Sequence, residues 1–291
     1  MLDWDRDGRD WPHHEASRFI DAGGLRWHVQ QLGDAAERPL VLLLHGTGAS
    51  THSWRGLMTL LAPHMRVLAV DLPGHGFTGM PADRETLSLP GMATALAALL
   101  RELGLAPQLV VGHSAGAAIG VRLCLDGAAE PAALVAINGA LLPLGGVAGS
   151  LFSPVARLLA LNPWVPRLFS WRARDPTVLR RLLDGTGSRL DAPGVALYGR
   201  LLDSPQHVAG ALGMMARWDL RRFASELPGL HTPLHLLVAD GDRTLPPDQA
   251  WQVRERLPSA TLTRLPGLGH LAHEEQPRQV ADLLLRLPVV N

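Results

Sequence analysis

Short uninterrupted apolar runs recur along the chain, separated by stretches with helical periodicity. Leu40 to Leu44, Val67 to Val70, Leu109 to Val111, Leu134 to Ile137 and Leu234 to Val238 each read as a strand buried on both faces. Thr261 to Leu265 predicts one more. Ser17 to Asp21 and Leu25 to Gln31 flank Ala22-Gly23-Gly24, the pattern of a β-hairpin. Helices are predicted from Trp54 to Leu61, Ser88 to Leu103, Ala115 to Leu125, Asp248 to Leu257 and Pro277 to Leu287. Strands alternating with helices predict an α/β fold, with a mostly parallel sheet covered on both faces.

Residues 141–218 break the rhythm. They carry no strand signal. Helices are predicted at Leu151 to Leu161, Val165 to Trp171 and Pro176 to Leu183, with two more between Asp191 and Met215. Pro163, Pro166, Gly185-Thr186-Gly187 and Pro205 punctuate them. Because strands resume afterwards, the block reads as a helical cap inserted into a core of residues 17–140 and 219–291. Placed after a strand's C-terminal end, it sits over the ligand edge of the sheet. Residues 1–16 form a polar tail whose Trp4 and Trp11 predict packing, on the body of the protein or on a partner, with the body favoured.

Charge and composition exclude several functions. Arginine supplies every basic side chain and no lysine occurs, which removes P-loop and Schiff-base lysine chemistry. The formal net charge is zero, so there is no electrostatic case for nucleic acid or an anionic membrane. No stretch reaches the roughly 18 apolar residues of a membrane span. The charged N-terminus lacks the apolar run of a signal peptide, and Cys124 is a lone cysteine, so the expectation is a cytoplasmic protein.

The candidate chemistry centres on Gly112-His113-Ser114-Ala115-Gly116, between a predicted strand and a predicted helix. Glycines flanking a sharp strand-to-helix turn let the central hydroxyl stand exposed at the helix N-terminus. A serine needs a base, and the base an orienting carboxylate. Asp242 and His270 follow the last two strands in the order this architecture requires. Asp240 competes with Asp242, which Pro246 favours. His273 competes with His270, and His270-x-x-His273 has no third ligand for a metal. The backbone N–H groups of Thr47 and Ala115 are the candidate oxyanion donors, each worth about 3–4 kcal/mol in such sites. His45, His113, Phe152, Trp164, Phe169, Met214 and Met215 are the candidate pocket residues. Gly74-His75-Gly76-Phe77-Thr78-Gly79 matches a dinucleotide fingerprint, but Met80-Pro81-Ala82-Asp83 follows where a helix should open. No cofactor and no metal are called for.

These motifs resemble the α/β-hydrolase superfamily: His-Gly-Thr-Gly at 45–48, Asp-Leu-Pro-Gly-His-Gly at 71–76, Gly-His-Ser-Ala-Gly at 112–116, Asp242 before Pro246, and Gly-His at 269–270. The resemblance implies an α/β-hydrolase fold with a helical cap. Stretches 3–12, 24–30, 138–144, 151–154 and 162–169 are not generic to the superfamily. They resemble the hydrolase-type magnesium-chelatase accessory proteins of bacteriochlorophyll synthesis. That resemblance implies a role in the magnesium branch of tetrapyrrole synthesis, with chelatase subunits as partners. Three functions stay open. One is serine hydrolysis of an ester-like bond in a bulky apolar substrate, such as a tetrapyrrole ester. The second is porphyrin binding without turnover, with His52, His75, His113 and His207 as candidate axial ligands. The third is a generic carboxylesterase or C–C bond hydrolase.

Overall fold

The structure is a computed structural model that describes residues 2–33, 35–143, 162 and 164–289. Its strands are β1 (Ser17–Ala22), β2 (Leu25–Leu32), β3 (Leu40–Leu44), β4 (Arg66–Val70), β5 (Leu109–His113), β6 (Ala133–Ile137), β7 (Leu234–Ala239) and β8 (Thr261–Leu265). They form one sheet in the order β1-β2-β4-β3-β5-β6-β7-β8. β1 pairs with β2, and β2 with β4, antiparallel; every other pairing is parallel.

The central strands are buried at every position, which is why they read as continuous apolar runs. Alternation decides which face each side chain serves. Leu40, Leu42 and Leu44 join one core with α3 (Leu89–Leu103) and α4 (Ala115–Leu125). Val41 and Leu43 join the other, with α2 (Arg55–Leu61) and the C-terminal helix Pro277–Leu284. Ser88 caps α3 by accepting from the Gly91 N–H, Pro90 sits in its first turn, and Gly104 ends it in the left-handed conformation.

Between β6 and β7 lie α5 (Trp164–Ala173), α6 (Pro176–Asp184), α7 (Ala192–Leu202), α8 (Pro205–Arg217) and α9 (Arg221–Glu226). Asp175, Asp191 and Ser204 cap α6, α7 and α8, each followed within two residues by proline. The helix expected at Leu151 to Leu161, and Phe152 within it, lie outside the described residues.

Residues 2–16, which include the short helix α1 (Trp4–Asp7), pack on the body. Trp11 is buried and donates from Nε1 to Thr51 Oγ1 at 3.3 Å. Trp4 stacks on His14 and meets Phe77 edge-on. Beneath them, the fully buried Asp71 accepts from the Thr51 and Phe77 N–H groups at 2.7 and 2.9 Å and from His28 Nδ1 at 2.7 Å. His28 Nε2 meets Ser17 Oγ at 3.0 Å. His28 beside the carboxylate holds Asp71 well below the usual carboxylate range against the opposing cost of burial. The stability Asp71 contributes is full above about pH 4 and is lost on acidification. Asp71→Ala strands two buried N–H groups and one imidazole, and should cost about 3–5 kcal/mol in urea unfolding. A loss under 1 kcal/mol would show that this network does not anchor the N-terminal segment.

Candidate active site

Ser114 sits between β5 and α4 with φ 51° and ψ −117°, a conformation that costs an L residue about 1–3 kcal/mol. The turn is possible because its flanks lack Cβ atoms. A Cβ on Gly112 would lie 2.4 Å from the Ala117 backbone nitrogen, and one on Gly116 would lie 2.1 Å from the Leu44 carbonyl oxygen. The Ser114 N–H donates to the Ile137 carbonyl, and its own carbonyl accepts from Ala140, both at 3.0 Å. The serine turn is thereby tied to the end of β6.

Parallel strands deliver their C-terminal ends to one edge. Thr47 follows β3, Ser114 follows β5, Asn138 follows β6, Asp242 follows β7 and His270 follows β8. The His270 ring donates from Nδ1 to Asp242 Oδ2 at 2.7 Å, both groups being buried. The neutral ring then carries its lone pair on Nε2. Asp242 Oδ1 accepts from the Thr244 and Leu245 N–H groups at 2.7 and 2.9 Å. No hydrogen bond joins Ser114 Oγ to the His270 ring among the described residues. Both side chains line the same cavity of about 770 Å³, as do Thr47 and Ala115. Neither the Thr47 nor the Ala115 N–H donates a hydrogen bond among the described residues.

The competing residues lie elsewhere. Asp240 forms an ion pair with Arg264 at 2.8 Å, whereas the His270 ring is bonded to Asp242. His273 is buried against Trp54 with neither ring nitrogen partnered, and burial pushes its pKa down to about 3.

Of the predicted pocket residues, His113 and Met215 line the cavity. His45, Met214, Trp164 and Phe169 do not, among the described residues. His45 is buried below the edge, where its Nε2 accepts from the Leu72 N–H at 2.9 Å. Met214 is buried with its sulfur 3.4 Å from Thr47 Oγ1, so it supports that loop from behind. Trp164 and Phe169 lie on α5 and face outward. Of the suggested axial ligands, only His113 reaches the cavity, and its Nε2 is spent on the His270 carbonyl at 2.9 Å. Both nitrogens of His207 are also engaged, with the Gly76 N–H and the Gly48 carbonyl. Burial holds His52, His75, His113 and His207 below the ordinary histidine range, so these rings are neutral.

Several positioning groups escaped the sequence reading. Asn138, itself at φ 44°, donates from Nδ2 to the His270 carbonyl at 2.9 Å and accepts from the Ala239 N–H at 2.8 Å. An asparagine followed by glycine directly after a buried strand is the signal that could have revealed it. The Thr186 carbonyl, in the turn after α6, accepts from both the Arg243 and His270 N–H groups at 3.2 Å. Ser188 Oγ accepts from the Leu271 N–H at 2.8 Å. Glu275 accepts from Gly269 and Arg189. Tyr198, the sole tyrosine, lines the cavity and donates to Glu274 Oε1 at 2.7 Å; Arg55 holds the other oxygen at 2.8 Å.

The fold and these motifs coincide with a known family. The description "Alpha/beta hydrolase family" matches residues 41–283, and the chain belongs to that family. It is 39% identical over 276 residues to the magnesium-chelatase 30 kDa subunit of Rhodobacter capsulatus, with 95% of each chain covered. It is 28% identical over 272 residues to the pimeloyl-[acyl-carrier protein] methyl ester esterase of Vibrio vulnificus, covering 90% of this chain and 96% of that one. An alpha/beta hydrolase fold protein from Burkholderia ambifaria superposes with a TM-score of 0.76 at 24% identity, covering 94% and 98% of the two chains. Among the described residues, no helix is long and apolar enough to cross a membrane.

Two measurements probe this site. Ser114→Gly relieves the φ 51° backbone and should raise stability by about 1 kcal/mol, read as a higher Tm; an unchanged or lower Tm would mean that the turn is unstrained. Burial pushes the Glu274 carboxyl up to about 7 despite Arg55 and Tyr198. A carboxyl raised in the folded state gives stability that is full below about pH 4 and lost as pH rises through about 7. The unmodified protein should therefore lose Tm between pH 5 and pH 7.5, and Glu274→Gln should flatten that fall.

Proposed function

We propose that this protein is a serine hydrolase that cleaves a carboxylic ester of a bulky apolar molecule. One observation carries the reading: the Asp242-held imidazole of His270 and the strained Ser114 turn open on one cavity, beside two backbone N–H groups that donate to no acceptor among the described residues. In this scheme Ser114 Oγ attacks the acyl carbon while His270 Nε2 takes its proton. Asp242 fixes the ring tautomer and stabilises the imidazolium. The Thr47 and Ala115 N–H groups donate to the developing oxyanion. His270 returns the proton to the leaving alcohol. Water, deprotonated by the same ring, then resolves the acyl-enzyme. A serine at position 114 supports this acyl chemistry over the carboxylate-nucleophile chemistry of dehalogenases on this fold. The α5–α9 segment acts as a cap over the cavity.

The substrate class follows from the cavity and from one relative. A volume of about 770 Å³, walled by Leu183, Tyr198, Trp218 and Leu220, suits a large apolar ester. Similarity to a protein named as a magnesium-chelatase subunit supports a cytoplasmic role in or beside magnesium-tetrapyrrole synthesis, with chelatase subunits as partners and propionate esters of tetrapyrroles as substrates.

A second reading, porphyrin binding without turnover, draws on the missing Ser114–His270 hydrogen bond and on the same relative's name. Fluorophosphonate labelling read by intact mass separates the two. Hydrolysis predicts one adduct per chain, absent in Ser114→Ala and slowed by about 10³-fold or more in His270→Ala. On a turned-over ester, Asp242→Asn should lower kcat by about 10⁴-fold through loss of the correct tautomer. A folded protein that takes no adduct yet binds porphyrin tightly by absorbance titration would establish the second reading instead.

A further inference from the structure

One helix of the described structure is turned inside out. On α5 the buried positions are Pro166, Ser170 and Ala173. Its bulkiest apolar side chains face solvent: Trp164 is 70% exposed, Leu168 60% and Trp171 61%. The spacing i, i+4, i+7 stacks these three on one stripe of the helix. An ordinary surface helix buries such a stripe and leaves its small and polar residues outside. The reversal gives a contiguous apolar ridge where solvent offers it nothing.

Arginines border the ridge on both sides. Arg167 reaches over the Trp164 ring, with its guanidinium carbon 5.2 Å from the centroid, and Arg172 follows Trp171 on the opposite border. Within residues 164–173 Arg167 and Arg172 stand with no acidic residue, although the whole chain has a net charge of zero; Arg174, just beyond, is paired with Asp203. Overall neutrality thus conceals a local basic face. Tryptophan and leucine ridged by arginine is the composition of a helix lying in a lipid headgroup region, with apolar side chains inserted about 5–10 Å.

We propose that the outward face of α5 docks on an anionic lipid surface. A protein partner would meet the same ridge, but flanking guanidinium groups around exposed indole rings match anionic headgroups over an acyl boundary. The location adds to this. α5 packs against α8, whose Met215 is 39% exposed and also lines the cavity beside Ser114. Docking here brings the apolar cavity beside the phase in which an apolar ester would dissolve. The docking surface is independent of whether Ser114 reacts, so it can fail or hold separately from the hydrolase reading.

The test is co-sedimentation of the full chain with vesicles, either phosphatidylcholine alone or with 30 mol% phosphatidylglycerol, the latter fraction being about one anionic lipid in three. The unmodified protein should bind the anionic vesicles about tenfold or more tightly than the neutral ones, and binding should weaken as salt rises. The triple variant Trp164→Ser, Leu168→Ser, Trp171→Ser should lose about tenfold in affinity. It should keep the unmodified Tm, because all three side chains are exposed. Arg167→Gln with Arg172→Gln should remove most of the preference for anionic over neutral vesicles. No binding by the unmodified protein, equal binding by the triple variant, or a self-association by sedimentation velocity that only the triple variant loses, without vesicle binding, would each overturn the proposal.

Discussion

The organisation of this protein rests on one backbone constraint, the turn that carries Ser114. A residue at φ 51° is held there only if the chain on both sides is fixed independently. β5 is fixed by parallel pairing to β3 and β6, and α4 by packing its alanine and glycine face on the sheet. Gly116 lies against the Leu44 carbonyl so closely that no side chain fits between them. The strain is therefore borne by two large apolar cores rather than by the turn itself. Every other group at the edge is aimed relative to this point, because the same parallel sheet delivers the ends of β3, β6, β7 and β8 to it.

The histidines illustrate how burial sorts groups of one chemistry into different roles. Two of them hold a carboxylate, His28 with Asp71 and His270 with Asp242. Their bonding order is the same, and Ser17 even occupies the place of a hydroxyl partner on His28. The first trio is sealed under Trp4 and Phe77, where it knits the N-terminal segment to the sheet. The second opens on the cavity. His45, His113, His207 and His273 are buried and held neutral: the first three add hydrogen bonds and His273 adds packing, and none adds charge near His270. A neutral surround leaves Asp242 as the carboxylate bonded to the His270 ring.

The inner strands β3 to β7 were legible from the chain because a strand buried on both faces must be apolar almost throughout, and the hairpin β1–β2 announces itself by Gly23-Gly24, whereas β8 is a largely exposed edge strand read from Thr261 to Leu265. Ser114, Asp242 and His270 were legible as candidates because each directly follows a strand, with glycine near Ser114 and His270. The supporting groups were not. A backbone carbonyl such as Thr186 O has no residue signature, and the contact of Tyr198 with Glu274 joins positions far apart in sequence. Trp164 and Phe169 were misassigned to the cavity for a related reason. Large apolar side chains in a helical block suggest a lining, but which way a short helix faces is decided by its small residues, here Pro166, Ser170 and Ala173. Local composition gives the amount of apolar surface and leaves its direction to tertiary packing.

The Thr186 carbonyl has a consequence for how this architecture can change. It lies in the segment inserted between β6 and β7, yet it accepts from the loops that carry Asp242 and His270. Ser188 and Arg189, two and three residues on, add bonds to Leu271 and Glu275. The insertion is thus spliced into the frame of the loops that carry Asp242 and His270 rather than resting above them. A substitution on the exposed helices leaves these bonds untouched, whereas a change in the short turn at 186–189 reaches both loops. A segment transplanted from another member of the family would have to carry an equivalent turn, or the recipient would lose the alignment of its own loops.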